Sequence, residues 1–219
     1  DVNQSDLLIG LGINDDWSFE SDFVARNDVK VIAYDGSISA KLFFRRFLKS
    51  FFRIINVKAI MRDYETYCGF CKFFNTGTNT HIQKFVGLNS SDSRHCTLDA
   101  ILENTSSQHI FFKIDVEGSE YRLLHTLIEN VHRMTGLVIE FHDCDIHLFD
   151  IEKFIQKFDM NLVHVHANNH SPIRLDDKLP LVLELTFTRH GTIGQETILP
   201  HLLDMKNNPK SDEIRLKII

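Results

Sequence analysis

Short apolar runs alternate along this chain with amphipathic stretches at helical spacing, and that alternation leaves few architectures open. Leu7-Leu8-Ile9 and Val31-Ile32-Ala33 are apolar at every position, as strands covered on both faces must be. Ser119 to Val131 puts Leu123, Leu124, Leu127, Ile128 and Val131 on one helical stripe, and His147 to Phe158 does so with Leu148, Ile151, Phe154, Ile155 and Phe158. Strand, covering helix and strand in repetition build a parallel sheet. Candidate strands run from Asp6 to Gly10, Val29 to Tyr34, Ile82 to Val86, Ile110 to Ile114, Leu137 to Phe141, Leu162 to His166 and Leu181 to Thr188. The last two are joined by a polar loop without a helical pattern, which predicts an antiparallel pair. The expected fold is α/β: a seven-stranded, mostly parallel sheet with helices on both faces and an antiparallel edge strand.

At 219 residues the chain suits one sizeable core, and no Pro/Gly/Ser-rich stretch divides it, so residues 1–219 are expected to form a single domain. A basic aromatic helical segment is expected at about 38–74, and an irregular tail at about 195–219, where Asn207-Asn208-Pro209 breaks any pattern. No apolar run reaches the roughly 20 residues of a membrane span. The chain starts at Asp1 with neither a methionine nor a signal-peptide pattern; a native N-terminus upstream and a cytoplasmic location are expected. The net charge of −6 argues against a nucleic-acid partner, because neutralising phosphates takes a basic surface. Four cysteines are too few for a disulfide framework, and Cys68-Gly-Phe-Cys71 lacks both a second CxxC and a thioredoxin context, so free thiols are expected.

Three short motifs carry the chemistry. Gly10-Leu11-Gly12 follows the first apolar run directly, with Asn14 behind it; glycines at such a turn let a ligand approach the backbone closely. Asp15 stands where a dinucleotide fingerprint has its third glycine, which favours a nucleoside cofactor over a pyrophosphate. Asp35, in Asp35-Gly36-Ser37 at the end of the second run, can accept hydrogen bonds from both hydroxyls of a ribose. The third motif is Lys113-Ile114-Asp115-Val116-Glu117-Gly118-Ser119-Glu120, which delivers Asp115 and Glu117 to the carboxyl edge of the sheet, where open α/β folds bind ligands.

Here the chain resembles the FkbM methyltransferases, whose signature reads much like residues 113–120. Thr97-Leu98-Asp99-Ala100-Ile101-Leu102, Phe85-Val86-Gly87-Leu88, Val138-Ile139-Glu140-Phe141-His142 and Val163-His164-Val165-His166-Ala167-Asn168-Asn169 extend the resemblance over about Leu7 to Thr188. Where the family has an acidic residue before the first glycine and another glycine after the second, this chain has Leu8 and Asn14. The resemblance implies a Rossmann-like class I methyltransferase that uses S-adenosylmethionine for O-methylation of sugars or other small hydroxylated metabolites. Gly10, Gly12, Asn14, Asp35, Gly36, Ser37 and Asp115 are then the expected cofactor contacts, and a small molecule or glycan is the expected acceptor.

A hydroxyl is a poor nucleophile near neutral pH, so its methylation needs a base or a metal beside it. Asp115, Glu140, His142 and His166 all fall at predicted strand ends and form the expected catalytic set. His142 is the first choice of general base, because an unperturbed imidazole titrates near neutrality, and His166 is the second. Glu140, His142, Asp143, Asp145 and His147, with Asp115, are ligand types for a divalent ion, but their spacing is not diagnostic and no metal is predicted.

From Lys41 to Arg62 no acidic residue occurs. On a helical wheel Arg45, Arg46, Lys49 and Arg53 share one face, and Phe43, Phe44, Phe47, Leu48, Phe51 and Ile55 the other. Such a helix can lie on an anionic membrane or grip an acidic substrate; the favoured expectation is that its phenylalanines cover the sheet. Two alternatives to the methyltransferase stand. A nicotinamide-dependent oxidoreductase would share Asp35 but wants the third glycine, and a nucleoside-binding or scaffold domain would keep the fold without catalysis.

Overall fold

A computed structural model describes residues 1–51, 57–75, 77–191 and 199–216. In chain order the elements are β1 (Leu7–Leu11), α1 (Ser18–Arg26), β2 (Lys30–Tyr34), α2 (Ala40–Phe51), α3 (Val57–Phe74), β3 (Thr80–Ile82), β4 (Phe85–Val86), β5 (His95–Cys96), α4 (Leu98–Glu103), β6 (Ile110–Ile114), α5 (Leu124–Glu129), β7 (Met134–Phe141), α6 (Cys144–Lys157), β8 (Asn161–Ala167) and β9 (Leu183–Thr188). The main sheet has seven strands in the order β3-β2-β1-β6-β7-β9-β8. Every pair from β3 to β7 is parallel, and β9 runs antiparallel to both of its neighbours. The expected α/β sheet with its antiparallel edge pair is therefore present.

Burial explains the helix layers. β1 is buried at all five positions because both faces are covered. Leu7, Ile9 and Leu11 join a core with Leu98, Leu127, Ile151 and Phe154 from α4, α5 and α6, whereas Leu8 packs with Phe23 of α1 and Phe111 on the other face. Around Phe154, Phe158 and Phe187 the rings meet edge-on or stacked, a geometry that adds to the area they bury.

Three local expectations need correction. The third strand is shorter and earlier than Ile82 to Val86: it ends at Ile82, and Phe85–Val86 forms a separate two-stranded piece with His95–Cys96. The helix expected through Ser119 to Val131 is broken into 3-10 turns at Glu120–Arg122 and Val131–Arg133 flanking the short α5.

The basic aromatic stretch, third, is not one helix. α2 ends at Phe51, and α3 packs against it through Phe43 with Phe70, Phe44 with Tyr67 and Phe47 with Tyr64. Only Phe43 of these α2 rings is buried, in a cluster with Ala33 of β2; Phe44, Leu48 and Phe51 are half exposed. Phe43 thus packs toward the sheet as expected, whereas Phe44 and Phe47 join the two helices, because α3 supplies an aromatic surface beside them. Arg53 and Ile55 lie outside the described residues. Arg46 pairs with Asp15 and Asp63. All four cysteines are free thiols. Among the described residues no helix is long and apolar enough to cross a membrane.

The tightest constraint lies where β1 and β6 part. Gly12 has φ +75°, and a Cβ there would run into the carbonyl oxygen of Asp115. Gly12→Ala is expected to cost at least about 3 kcal/mol in urea unfolding, since clash adds to strain. Gly77→Ala, also at positive φ but in open space, should cost only about 1–2 kcal/mol. Equal losses would show that the contact with Asp115 does not matter.

Candidate functional site

The chain winds outward through β2 and β3 on one side of β1 and returns to lay β6 on the other, which makes the β1–β6 edge a topological switch point. Three loops meet there. Gly12 N donates to Tyr34 O at 2.8 Å and Asp115 N to Leu11 O at 2.8 Å, so the strand ladders continue into the loops. A cleft of about 430 Å³ opens between them, lined by Gly12, Asn14, Asp35, Ser37, Phe85 and Asp115 among others. That volume suits a small-molecule site.

Asp35 has a role that its position alone does not reveal. Its Oδ2 accepts from Ile13 N at 3.0 Å and Asn14 N at 2.8 Å, while Oδ1 accepts from Ser37 N at 2.7 Å and Ser37 Oγ at 2.6 Å. A carboxylate has about four acceptor positions, so all are taken by the protein itself. Burial works against the charge, but these bonds overcome it and hold the carboxyl below its ordinary range. Asp35 ties the β1 loop to the β2 loop, and of its four donors only the Ser37 hydroxyl can rotate away to admit a ribose hydroxyl. Asn14, at φ 47°, is turned into the cleft by the same pair of bonds. Gly36 leaves room for the Phe85 ring, which forms the far wall.

Gly10 stands apart from the cleft, contrary to its expected role as a ligand contact. It lies within β1, and a Cβ on it would sit 2.8 Å from Oε1 of Glu20. Glu20 is 1% exposed, and burial raises its pKa against the pull of nearby Lys113. Lys113 Nζ in turn donates to Gly12 O at 2.6 Å and reaches Asp115 Oδ2 at 3.4 Å. Glu20 escapes sequence reasoning, since it reads as a surface residue of a helix, and Lys113, though named in the motif, was given no role because it reads as the polar position of a strand.

The expected catalytic set divides in two. His142, just past β7, brings Nε2 to 4.0 Å from Asp115 Oδ1, 3.8 Å from Glu140 Oε1 and 3.4 Å from Glu117 Oε2. Its Nδ1 lies 3.0 Å from Oε1 of Glu120, which is wholly buried and also accepts from Val116 N and Gly118 N. Glu117 and Gly118 both have positive φ, and the sharp turn they make brings Glu120 back under the strand end. Burial disfavours the imidazolium, but the bond and charge of Glu120, then the charges of Glu140 and Glu117, hold its pKa up to about 9. In the ion-free chain these charges favour the protonated ring, so His142 has a carboxylate partner on each nitrogen. Burial and the neighbouring charge of Asp115 push Glu140 up to about 7, although Asn168 Nδ2 donates to its Oε1 at 2.9 Å.

His166 is excluded from this group. β9 is inserted between β7 and β8, which moves the end of β8 one strand further from Asp115. Its Nδ1 lies 3.2 Å from Glu184 Oε2 and its Nε2 3.5 Å from Glu213 Oε2. The C-terminal segment is fastened over β8 by this contact, by His164 to Asp204 at 2.8 Å and by Asn207 to Glu184 at 2.7 Å.

No protein-family model matches the sequence, and no curated protein matches it in sequence. Solved structures similar in backbone course include the fibrillarin pre-rRNA processing protein of Methanococcus jannaschii, at 10% identity and a TM-score of 0.42 over 87% of this chain and 69% of that one. The precorrin-6y C5,15-methyltransferase of Geobacter metallireducens matches at 12% identity and a TM-score of 0.45, over 85% of this chain and 82% of its own. A putative tRNA (m1A22) methyltransferase of Streptococcus pneumoniae, solved in complex with S-adenosyl-L-methionine, matches at 13% and 0.43, over 90% and 70%. By its own sheet order the fold is an open, mostly parallel α/β sheet of Rossmann-like course. Likeness at this level assigns neither substrate nor residue roles.

One expectation is corrected: the net charge of −6 does not argue against a nucleic-acid partner, because an average says nothing of where the charges stand. The physical reason is that phosphate binding answers to local charge, not the average. In this chain Arg45, Arg46, Lys49 and Arg62 line one cleft between α2 and α3 despite the net charge of −6.

The clasp on β8 titrates. The bond to Glu184 is the main cause that raises His166 to about 9, against burial, with Asp204 and Glu213 adding to it. A histidine raised from 6.5 contributes stability that is complete below about pH 6.5 and lost as pH climbs through about 9. The thermal midpoint should fall between pH 6.5 and 9.5, and fall less in His166→Asn. An unchanged slope in the variant would show that the pair does not hold the segment.

Proposed function

We propose that this chain is an S-adenosylmethionine-dependent methyltransferase of FkbM type, its residues 1–219 forming one catalytic domain that methylates a hydroxyl of a sugar or another small metabolite. The observation that carries the reading is the meeting of the Gly12, Asp35 and Asp115 loops around one cleft, with an imidazole and several carboxylates at its mouth. The signature at Lys113 to Glu120, resembling that of the FkbM enzymes, lies on the loop that joins the two.

S-adenosylmethionine supplies a methyl group made electrophilic by its sulfonium. The chain's own residues bind and orient. The Ser37 hydroxyl, freed from Asp35, and the carboxylate oxygen it leaves can hold the ribose hydroxyls. Phe85 offers an aromatic wall to the base. The backbone around Gly12 and Asn14, with Asp115, borders the methionine end. Asp115, Glu140 and His142 gather where an acceptor would meet the methyl group, and the proton its hydroxyl gives up is drawn off within that cluster.

Calorimetric titration with S-adenosylhomocysteine is expected to give a dissociation constant in the micromolar range. Asp35→Ala removes four hydrogen bonds from the cleft loops and should weaken that affinity by roughly tenfold or more, each charged bond being worth about 1.5–3 kcal/mol. Phe85→Ala is expected to do so while leaving the thermal midpoint nearly unchanged. No heat from the folded wild-type protein, or binding of nicotinamide dinucleotide instead, would overturn the assignment.

A further inference from the structure

We propose that Asp115, Glu140 and His142 form a binding site for one divalent cation of the magnesium or manganese type at the mouth of the cleft. Their donor atoms all lie within 4.8 Å of one another, on three different positions of adjacent strand ends. At a metal–ligand distance of about 2.1 Å, two ligands of one octahedral ion stand from about 3.0 Å (adjacent) to about 4.2 Å (opposite) apart. The separations of Nε2 from Asp115 Oδ1, 4.0 Å, and from Glu140 Oε1, 3.8 Å, fall in that interval.

A second observation points to a ligand. A metal-binding histidine is held through its other nitrogen by a carboxylate or carbonyl, which fixes the ring and aims the free nitrogen at the ion. Glu120 does this for His142: it is 0% exposed, anchored by two backbone N–H groups, and bonded to Nδ1 at 3.0 Å. Its Oε2 is buried with no hydrogen-bond partner among the described residues, so it brings more negative charge into the cluster than protein donors satisfy. Asn168 fixes Glu140 in the same manner. Four carboxylates, Asp115, Glu117, Glu120 and Glu140, surround His142, and Lys113 is the further cation beside them. A divalent ion fills that deficit, displacing the Nε2 proton so that His142 binds as neutral imidazole with Nδ1–H donated to Glu120. Two carboxylates and one imidazole are donors suited to magnesium or manganese, and three ligands leave further positions open.

The ion site stands on this geometry; only its use, to lower the pKa of a bound acceptor hydroxyl, rests on the methyltransferase reading. Manganese(II) titrated into the full chain and followed by electron paramagnetic resonance should report about one bound ion, with loss of the free-ion signal at micromolar to submillimolar concentration. Asp115→Asn and His142→Ala should each weaken binding at least tenfold, and Glu120→Gln by a smaller factor through the loss of orientation. His166→Asn should bind as the wild type does. Should His142→Ala fail to fold by circular dichroism, Glu140→Gln serves in its place. No bound manganese in the wild type, or full binding by the folded variants, overturns the proposal. S-adenosylhomocysteine binding measured on the same samples separates the failures: that product bound without manganese sinks the ion site alone, and manganese bound without it sinks the cofactor reading alone.

Discussion

The contact between Gly12 and the backbone of Asp115 is the constraint on which the rest of the site depends. Two parallel strands part there, and the space between their ends is too narrow for any side chain at position 12. The loop leaving β1 is thereby pressed against the end of β6, and Lys113 fastens it by donating to the Gly12 carbonyl. Asp35 fastens its other side by accepting from the amides of Ile13 and Asn14. Once these bonds are made, the cleft has fixed walls before any ligand arrives, which is what makes binding inexpensive in entropy.

Charge is arranged around that frame with the same economy. Glu120 is buried against Nδ1 of His142, and carboxylates face both nitrogens of that ring. A buried carboxylate is unfavourable without a partner, and the turn at Glu117 and Gly118 supplies two amides that partly satisfy it. The strained φ values of Asn14, Glu117 and Asp143 all occur at ends of β1, β6 and β7, where the sheet hands over to the site. Strain of this kind persists where surrounding structure over-determines it.

How far the site could be read beforehand differs residue by residue. Asp115 was legible because a mainly apolar strand pattern, Ile110 to Ile114, ends just before it, which places it at a strand's carboxyl edge. Glycine at position 12 was legible too, but its reason was not: the neighbour it admits is the backbone of β6, and which strand lies beside β1 is a matter of sheet order. His166 misled for the same cause. Its strand end was located correctly, yet β9 comes between β7 and β8 and carries it away from Asp115. Glu120 was named within the motif, but its role was hidden because its carboxylate turns back along its own chain, through a bend that no periodicity records.

The sequence by itself determined the class of fold and the edge of the sheet where chemistry collects, since hydrophobic period and strand length are local properties that every window of the chain carries. It also determined which polar residues stand at strand ends. The tertiary structure alone decided which of those ends are neighbours, that Asp35 is occupied by its own loops, and that His142 is oriented by a buried glutamate. Those facts depend on distances between residues far apart in the chain and on desolvation, and neither exists until the sheet has been assembled.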